Sequence, residues 1–282
     1  MAPDWSVAAY EFSSDLLGLL EGSESSAMIH LSLDDVGNCN TDGMCAAVGY
    51  VAYKKQWDVF NWAWQKTLKD MSLPFLHTSE FLYKYLRVGV NSPTDEEIYK
   101  SLSPFIDIIH RYITVPKLGF GVCVITKCDD YDKLTKAEKA YVRAPDLNSF
   151  EMAIGLACRK VKDELSDENT MAIQMDEAPN APILYKRYQT LKAENDTLKS
   201  YLGAICFTDD KKHYPIQAAD MLGHLTLRAW RNLTQDKDWP VAFKELIAPN
   251  GTSNVIRAIY DLERLQTLAA MRKKIDDRMA IA

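Results

Sequence analysis

The chain contains no C-x-x-C pair, and no two of its six cysteines stand at the usual zinc spacing, so neither a zinc finger nor a thioredoxin-type site is encoded as a local motif. Cys123, Cys158 and Cys206 fall inside apolar runs, and Cys39, Cys45 and Cys128 lack any pairing pattern. All six are expected as reduced thiols of a cytosolic protein. No apolar run reaches the ~18 residues of a membrane span, and the start of the chain shows no basic segment followed by an apolar one. The expectation is a cytoplasmic protein with no membrane contact. Walker, G-x-G-x-x-G and Ser-His-Asp signatures are also missing, which removes sequence support for nucleotide-dependent or covalent chemistry. Basic residues are in deficit. The 33 lysines and arginines against 39 acids leave a net charge of -6. That balance argues against a broadly basic nucleic-acid coat and leaves room for a local basic groove. Against these absences, 47% of the residues are hydrophobic, enough for a core that needs no disulfides. Asn250-Gly251-Thr252 forms a glycosylation sequon that, without a secretion signal, reads as coincidence.

Residues 1–27 read as a helical extension ending in the hinge GSESSA. A strand runs from about Met28 to Asp34, and the polar turn DVGNCNTDG leads into a second strand, MCAAVGYVAY, making a hairpin with a long loop. A helical insertion follows at about 55–112. It opens with KQWDVFNWAWQKTLKD, passes through the irregular LPFLHTSEF and ends in a helix whose Thr94 and Glu97 form a capping box. Strands at 118–126, 170–176 and 202–208 then alternate with helices at 148–165, about 182–197 and 214–232, and residues 252–278 read as a last helix. Three antiparallel strands followed by alternating α and β make a ribonuclease H-like pattern. The expected fold is therefore α/β, a mixed five-stranded sheet with flanking helices over 28–232, followed by a helical tail at 233–282. A doubly wound α/β fold is the alternative, and the opening hairpin weighs against it.

Asp34 ends the apolar strand IHLSLD and Asp176 ends MAIQMD. Strand alternation puts Asp34 on the face opposite Ile29, Leu31 and Leu33, and Asp176 opposite Ile173 and Met175. Either acid alone reads as a turn residue. Asp220 decides between the readings: it shares a helix face with Ile216, Gly223 and Leu227, and Gly223 would let that helix approach the sheet closely. His224, four residues on, is placed as a ligand, proton shuttle or supporting donor. Glu151 shares an apolar stripe with Leu147, Ile154 and Cys158, and could be a ligand or an edge residue reaching solvent. His77 and Glu80 could line the site from the insertion or simply cap a helix. A carboxylate in apolar surroundings is costly without a partner, so Asp34, Glu151, Asp176 and Asp220 together suggest a shared divalent cation, Mg²⁺ or Mn²⁺. Lys211, Lys212 and His213, with Arg228 and Arg231, are candidates to hold phosphates; each lysine alone reads as a solvated loop residue. Trp57, Phe60 and Trp64 share a helical face, which predicts core packing or a homo-oligomer or protein contact through helix 55–70 rather than base stacking.

LSLDDVGN, LHTSEF, IQMDEAPN and FTDDKKHYPIQAADMLGHL together resemble short motifs of a bacterial family catalogued as domain of unknown function number 3800, over roughly 28–232. The closing motif, a strand, an acidic turn and Gln-x-Ala-Asp in a helix, is the most specific. The resemblance implies a ribonuclease H-like fold, metal-dependent nuclease activity, neighbourhoods of mobile elements or phage defence, and a metal role for Asp34, Asp176 and Asp220. Asp35 and Val36 depart from it, standing where the family has Glu and Ser. The expected function is phosphodiester hydrolysis of DNA or RNA by two metal ions ~4 Å apart. A binding or scaffold subunit that kept the fold, and a hydrolase of a small phosphorylated substrate, are the alternatives.

Overall fold

The computed structural model describes residues 28–85, 93–114, 119–165, 170–249 and 253–279; the 1–27 extension and the 250–252 sequon lie outside them. Strands β1 (Ile29–Val36), β2 (Met44–Tyr53), β3 (Phe120–Lys127), β4 (Met171–Asp176), β5 (Leu202–Thr208) and β6 (Val255–Tyr260) form one mixed sheet in the order β5-β4-β1-β2-β3-β6. β2 runs against both its neighbours, and the pairs β1–β4, β4–β5 and β3–β6 are parallel. The longer helices are α1 (Lys54–Asp70), α2 (Thr78–Tyr85), α3 (Asp95–Ile109), α4 (Pro145–Leu165), α5 (Ala181–Glu194), α6 (Asp196–Tyr201), α7 (Tyr214–Leu233), α8 (Val241–Ile247) and α9 (Leu262–Met279); shorter turns are left unlabelled.

Period-two alternation in the central strands feeds two cores. Ile29, Leu31 and Leu33 of β1 pack with Ala47, Val51 and Val124 under α4 and α5, where Ile154 and Tyr188 are buried. On the opposite face, Val48 and Tyr50 pack with Leu222 and Leu225 of α7 and with the insertion. The insertion closes around the edge-on and tilted rings of Trp57, Phe60, Trp64 and Phe105, so the aromatic face expected on α1 is core. The capping box forms as expected: Glu97 N–H donates to Thr94 Oγ1 (3.2 Å) and Thr94 N–H to Glu97 Oε2 (2.7 Å).

Three expectations are corrected. The sheet has six strands, not five, because the start of the tail read as helix is β6, which adds to the free edge of β3 from Gly121↔Val255 to Thr126↔Tyr260; the helix begins only at Leu262. The irregular LHTSEF stretch contains the start of α2. The cysteines are not all reduced and buried: Cys39 and Cys128 form a disulfide, Cys206 is exposed, and Cys123 and Cys158 are free buried thiols.

Candidate functional site

Parallel pairing of β1 with β4 sets Leu33 opposite Met175, so Asp34 and Asp176 stand side by side where β4 ends, while β1, read from the sequence as ending at Asp34, runs on to Val36 paired with β2. Asp34 pairs across β2 with Val48 on the α7 face, whereas Asp35, opposite Ala47, turns to the α4 face. Helix α7 meets β1 at Gly223. A Cβ there would lie 3.3 Å from Asp34 Oδ2 and from Val48 Cγ2, so a hydrogen at this position lets the helix lie against the carboxylate.

One turn back along α7, Asp220 Oδ2 accepts the N–H of Thr78, the first residue of α2, at 2.7 Å. A further turn back, the fully buried Gln217 accepts from Trp64 Nε1 (2.9 Å) and the Leu76 N–H (3.1 Å) and donates to the Asp210 carbonyl (3.0 Å). One face of α7 thus fastens both the insertion and the 209–213 turn to the end of the sheet. Asp176 Oδ1 accepts from the N–H groups of Glu177 (2.9 Å) and Asp210 (3.2 Å). Asp210 Oδ2 lies 4.0 Å from His77 Nε2, and His77 Nδ1 lies 3.0 Å from Ser79 Oγ.

Burial, followed by the charges of Asp220, Asp35 and Asp176, pushes the Asp34 carboxyl well above the usual carboxylate range. Burial likewise raises Asp35, Asp176, Asp210 and Asp220; the His77 ring works against it at Asp210 and Asp220, and backbone N–H groups work against it at Asp176 and Asp220. Like charges held at low solvation favour protonation or a shared cation. His224 is pushed down to about 4, first by burial and then by Arg228 and Arg231, and is therefore neutral at pH 7. His213 is also lowered by burial; its Nδ1 lies 3.0 Å from Gln174 Nε2, an amide that donates.

Hard carboxylate oxygens suit Mg²⁺ or Mn²⁺, so the donor chemistry fits the expected ions. The spacing is wider than a single closed shell. Among the described residues, the one trio of ligating atoms mutually within 4.8 Å is Cys39, Cys45 and Cys128, not a set of carboxylates. Asp34, Asp176 and Asp220 are brought together; Glu151 is not. It is buried in α4, on the other face of the sheet, where Arg187 Nε and Arg272 Nη2 (2.7 Å) bond its two oxygens and Arg143 stands 3.7 Å away. Its apolar setting did demand a partner, and arginines supply it.

The other candidates are held as follows. Glu80 is exposed in the first turn of α2. Lys211 lies over the Phe75 ring, and Lys212 is 3.7 Å from Asp209. Arg228 pairs with Asp95 (3.2 Å) and Arg231 with Asp42 (2.6 Å), so these two guanidiniums are already engaged. Asp210 and Gln217 were not singled out from the sequence. Gln217 was within reach, since it sits three residues before Asp220 on the same helix face.

No protein family matches this chain, and no curated protein or solved structure matches it. The family resemblance therefore rests on its short motifs.

Proposed function

We propose that the protein is a ribonuclease H-like, metal-dependent nuclease that hydrolyses phosphodiester bonds. The single observation that carries this reading is the approach of Asp34 of β1, Asp176 at the end of β4 and Asp220 of α7, with burial first, and then the charges of Asp220, Asp35 and Asp176, holding the Asp34 carboxyl high. The strand order β5-β4-β1-β2-β3, with a β1–β2–β3 antiparallel run and β4 and β5 parallel to β1, supports the ribonuclease H-like assignment. Bound Mg²⁺ or Mn²⁺ would activate a water and stabilise the leaving oxygen. Asp34, on which the charges of both Asp176 and Asp220 act, would hold the ions together with these two carboxylates. His77, whose Nε2 lies beside Asp210, would be the group to give a proton to a departing oxygen. Lys211 and Lys212, on the turn next to Asp176, contact the phosphates, and the nucleic acid reaches the site locally rather than over a basic coat. Trp62, 64% exposed on α1, offers the contact for a second copy or partner chain.

The wide spacing of the carboxylates and the altered turn at Asp35-Val36 favour one second reading, a scaffold subunit that kept the fold. Labelled single-stranded DNA, duplex DNA, RNA and a hybrid, incubated with Mg²⁺, Mn²⁺ or EDTA, decide between them. The nuclease reading expects metal-dependent cutting of at least one polymer, lost in Asp176→Asn. Inactivity across the panel, or equal cutting by the variant, supports the scaffold.

A further inference from the structure

Two cysteines six residues apart and a third more than eighty residues further on meet beside, but outside, the carboxylate site. Cys39 opens the helical turn Cys39–Asp42 that joins β1 to β2. Cys45 is the second residue of β2, and Cys128 follows the end of β3, its N–H bonded to the Gly43 carbonyl at 2.9 Å. The turn is anchored independently of its sulfur. Asn38 caps it, Trp230 Nε1 donates to the Asp42 carbonyl (3.0 Å), and Arg231 grips the Asp42 carboxylate. Cys39 and Cys128 are joined, and Cys45 Sγ sits 3.6 Å from Cys39 Sγ and 3.9 Å from Cys128 Sγ.

A disulfide accounts for two of these thiols and leaves the third unexplained. A metal accounts for all three. Zinc–sulfur bonds of about 2.3 Å in a tetrahedron put sulfurs roughly 3.8 Å apart, which is the spacing that Cys45 keeps from both partners. The backbone supports such a site without long loops, because β2–β3 pairing sets Cys45 opposite Thr126, two residues before Cys128. We propose that, once the Cys39–Cys128 bond is reduced, Cys39, Cys45 and Cys128 bind one soft divalent ion of the zinc class as three thiolates. A dithiol reductant supplies two electrons and two protons to open the disulfide and is itself oxidised to a disulfide. The incoming ion then displaces the three thiol protons. The site is chemically distinct from the aspartates, since thiolates select zinc-class ions and carboxylates select Mg²⁺ or Mn²⁺. Metal-bound, it ties the β1–β2 turn to the end of β3 as the disulfide does when oxidised, so the end of the sheet is clamped in either redox state.

Co²⁺ titration of the full chain tests this without a folding-sensitive variant. The dithiol-reduced protein should develop a sulfur-to-cobalt charge-transfer band that saturates near one equivalent and bleaches when Zn²⁺ is added. The oxidised protein should show none. Cys45→Ser, with unchanged circular dichroism, should lose the band, and Cys206→Ser should keep it. No band in the reduced wild type, or a band that survives Cys45→Ser, overturns the proposal.

Discussion

Asp34 and Glu151 are both carboxylates set in apolar surroundings, yet their neighbours differ in sign. Glu151 is enclosed by Arg143, Arg187 and Arg272, while the charges acting most strongly on Asp34 are those of Asp220, Asp35 and Asp176. Their removal should therefore change stability in opposite directions. Glu151→Ala leaves guanidiniums without their carboxylate and should cost about 3–5 kcal/mol, read by chemical denaturation. Asp34→Asn should instead raise Tm in metal-free buffer at neutral pH, by about 2–4 °C for each kcal/mol of repulsion relieved. The sign follows from the raised carboxyl: its folded form holds a proton more tightly than its unfolded form, so its ionisation penalises the fold increasingly as pH rises. The gain from Asp34→Asn should thus be largest at pH 7–8 and vanish below the ordinary carboxylate value of about 3.9. His224 titrates the other way. Depressed to about 4, it leaves the fold unpenalised above its ordinary value near 6.5 and costs stability as pH falls toward 4. His224→Gln should flatten that acid limb of the stability curve.

At the level of elements, α7 organises the site. Its small and polar positions, Gln217, Asp220 and Gly223, follow one another at helical spacing and meet the 210 turn, the start of α2 and β1 in that order. Gln217→Ala would strand Trp64 Nε1, the Leu76 N–H and the Asp210 carbonyl. At about 1–3 kcal/mol for each buried group left unpaired, the fold should lose several kcal/mol. Hydrogen exchange should accelerate first around Leu76 and the 209–213 turn; uniform acceleration across the sheet would show that Gln217 is no local clamp. Much of this element was readable from spacing alone: Asp220 on the face of Gly223, and the strand alternation that separates Asp34 from Leu33. Properties that depend on distant partners were not readable. VIRAIY becomes β6 because β3 offers it an open edge, and Glu151 is enclosed because Arg187 and Arg272 arrive from helices far along the chain. Neither leaves a local pattern.

Across the described residues, the helical layers cover both faces of the sheet and leave the aspartates at the end where the pairing of β1 with β4 stops. The residues that meet there, Asp34, His77, Asp176, Asp210 and Asp220, come from β1, the insertion, β4, the turn after β5 and α7. The pairing of Asp34 with Asp176 was legible because each closes an apolar strand run on its polar face. Asp210 and the cysteine trio were not, because turns and crossovers decide which loops share an end of the sheet. The described helices include none long and apolar enough to cross a membrane, as expected from the absence of long apolar runs.

Calorimetric titration of Mn²⁺ into the EDTA-stripped chain tests the central claim most directly, because Mn²⁺ prefers carboxylates over the nearby thiols. The aspartate site predicts saturable Mn²⁺ binding that raises Tm in the wild type and is lost in Asp34→Asn and Asp220→Asn while both variants remain folded. Absence of binding in the wild type, or equal binding in the two variants, would contradict it.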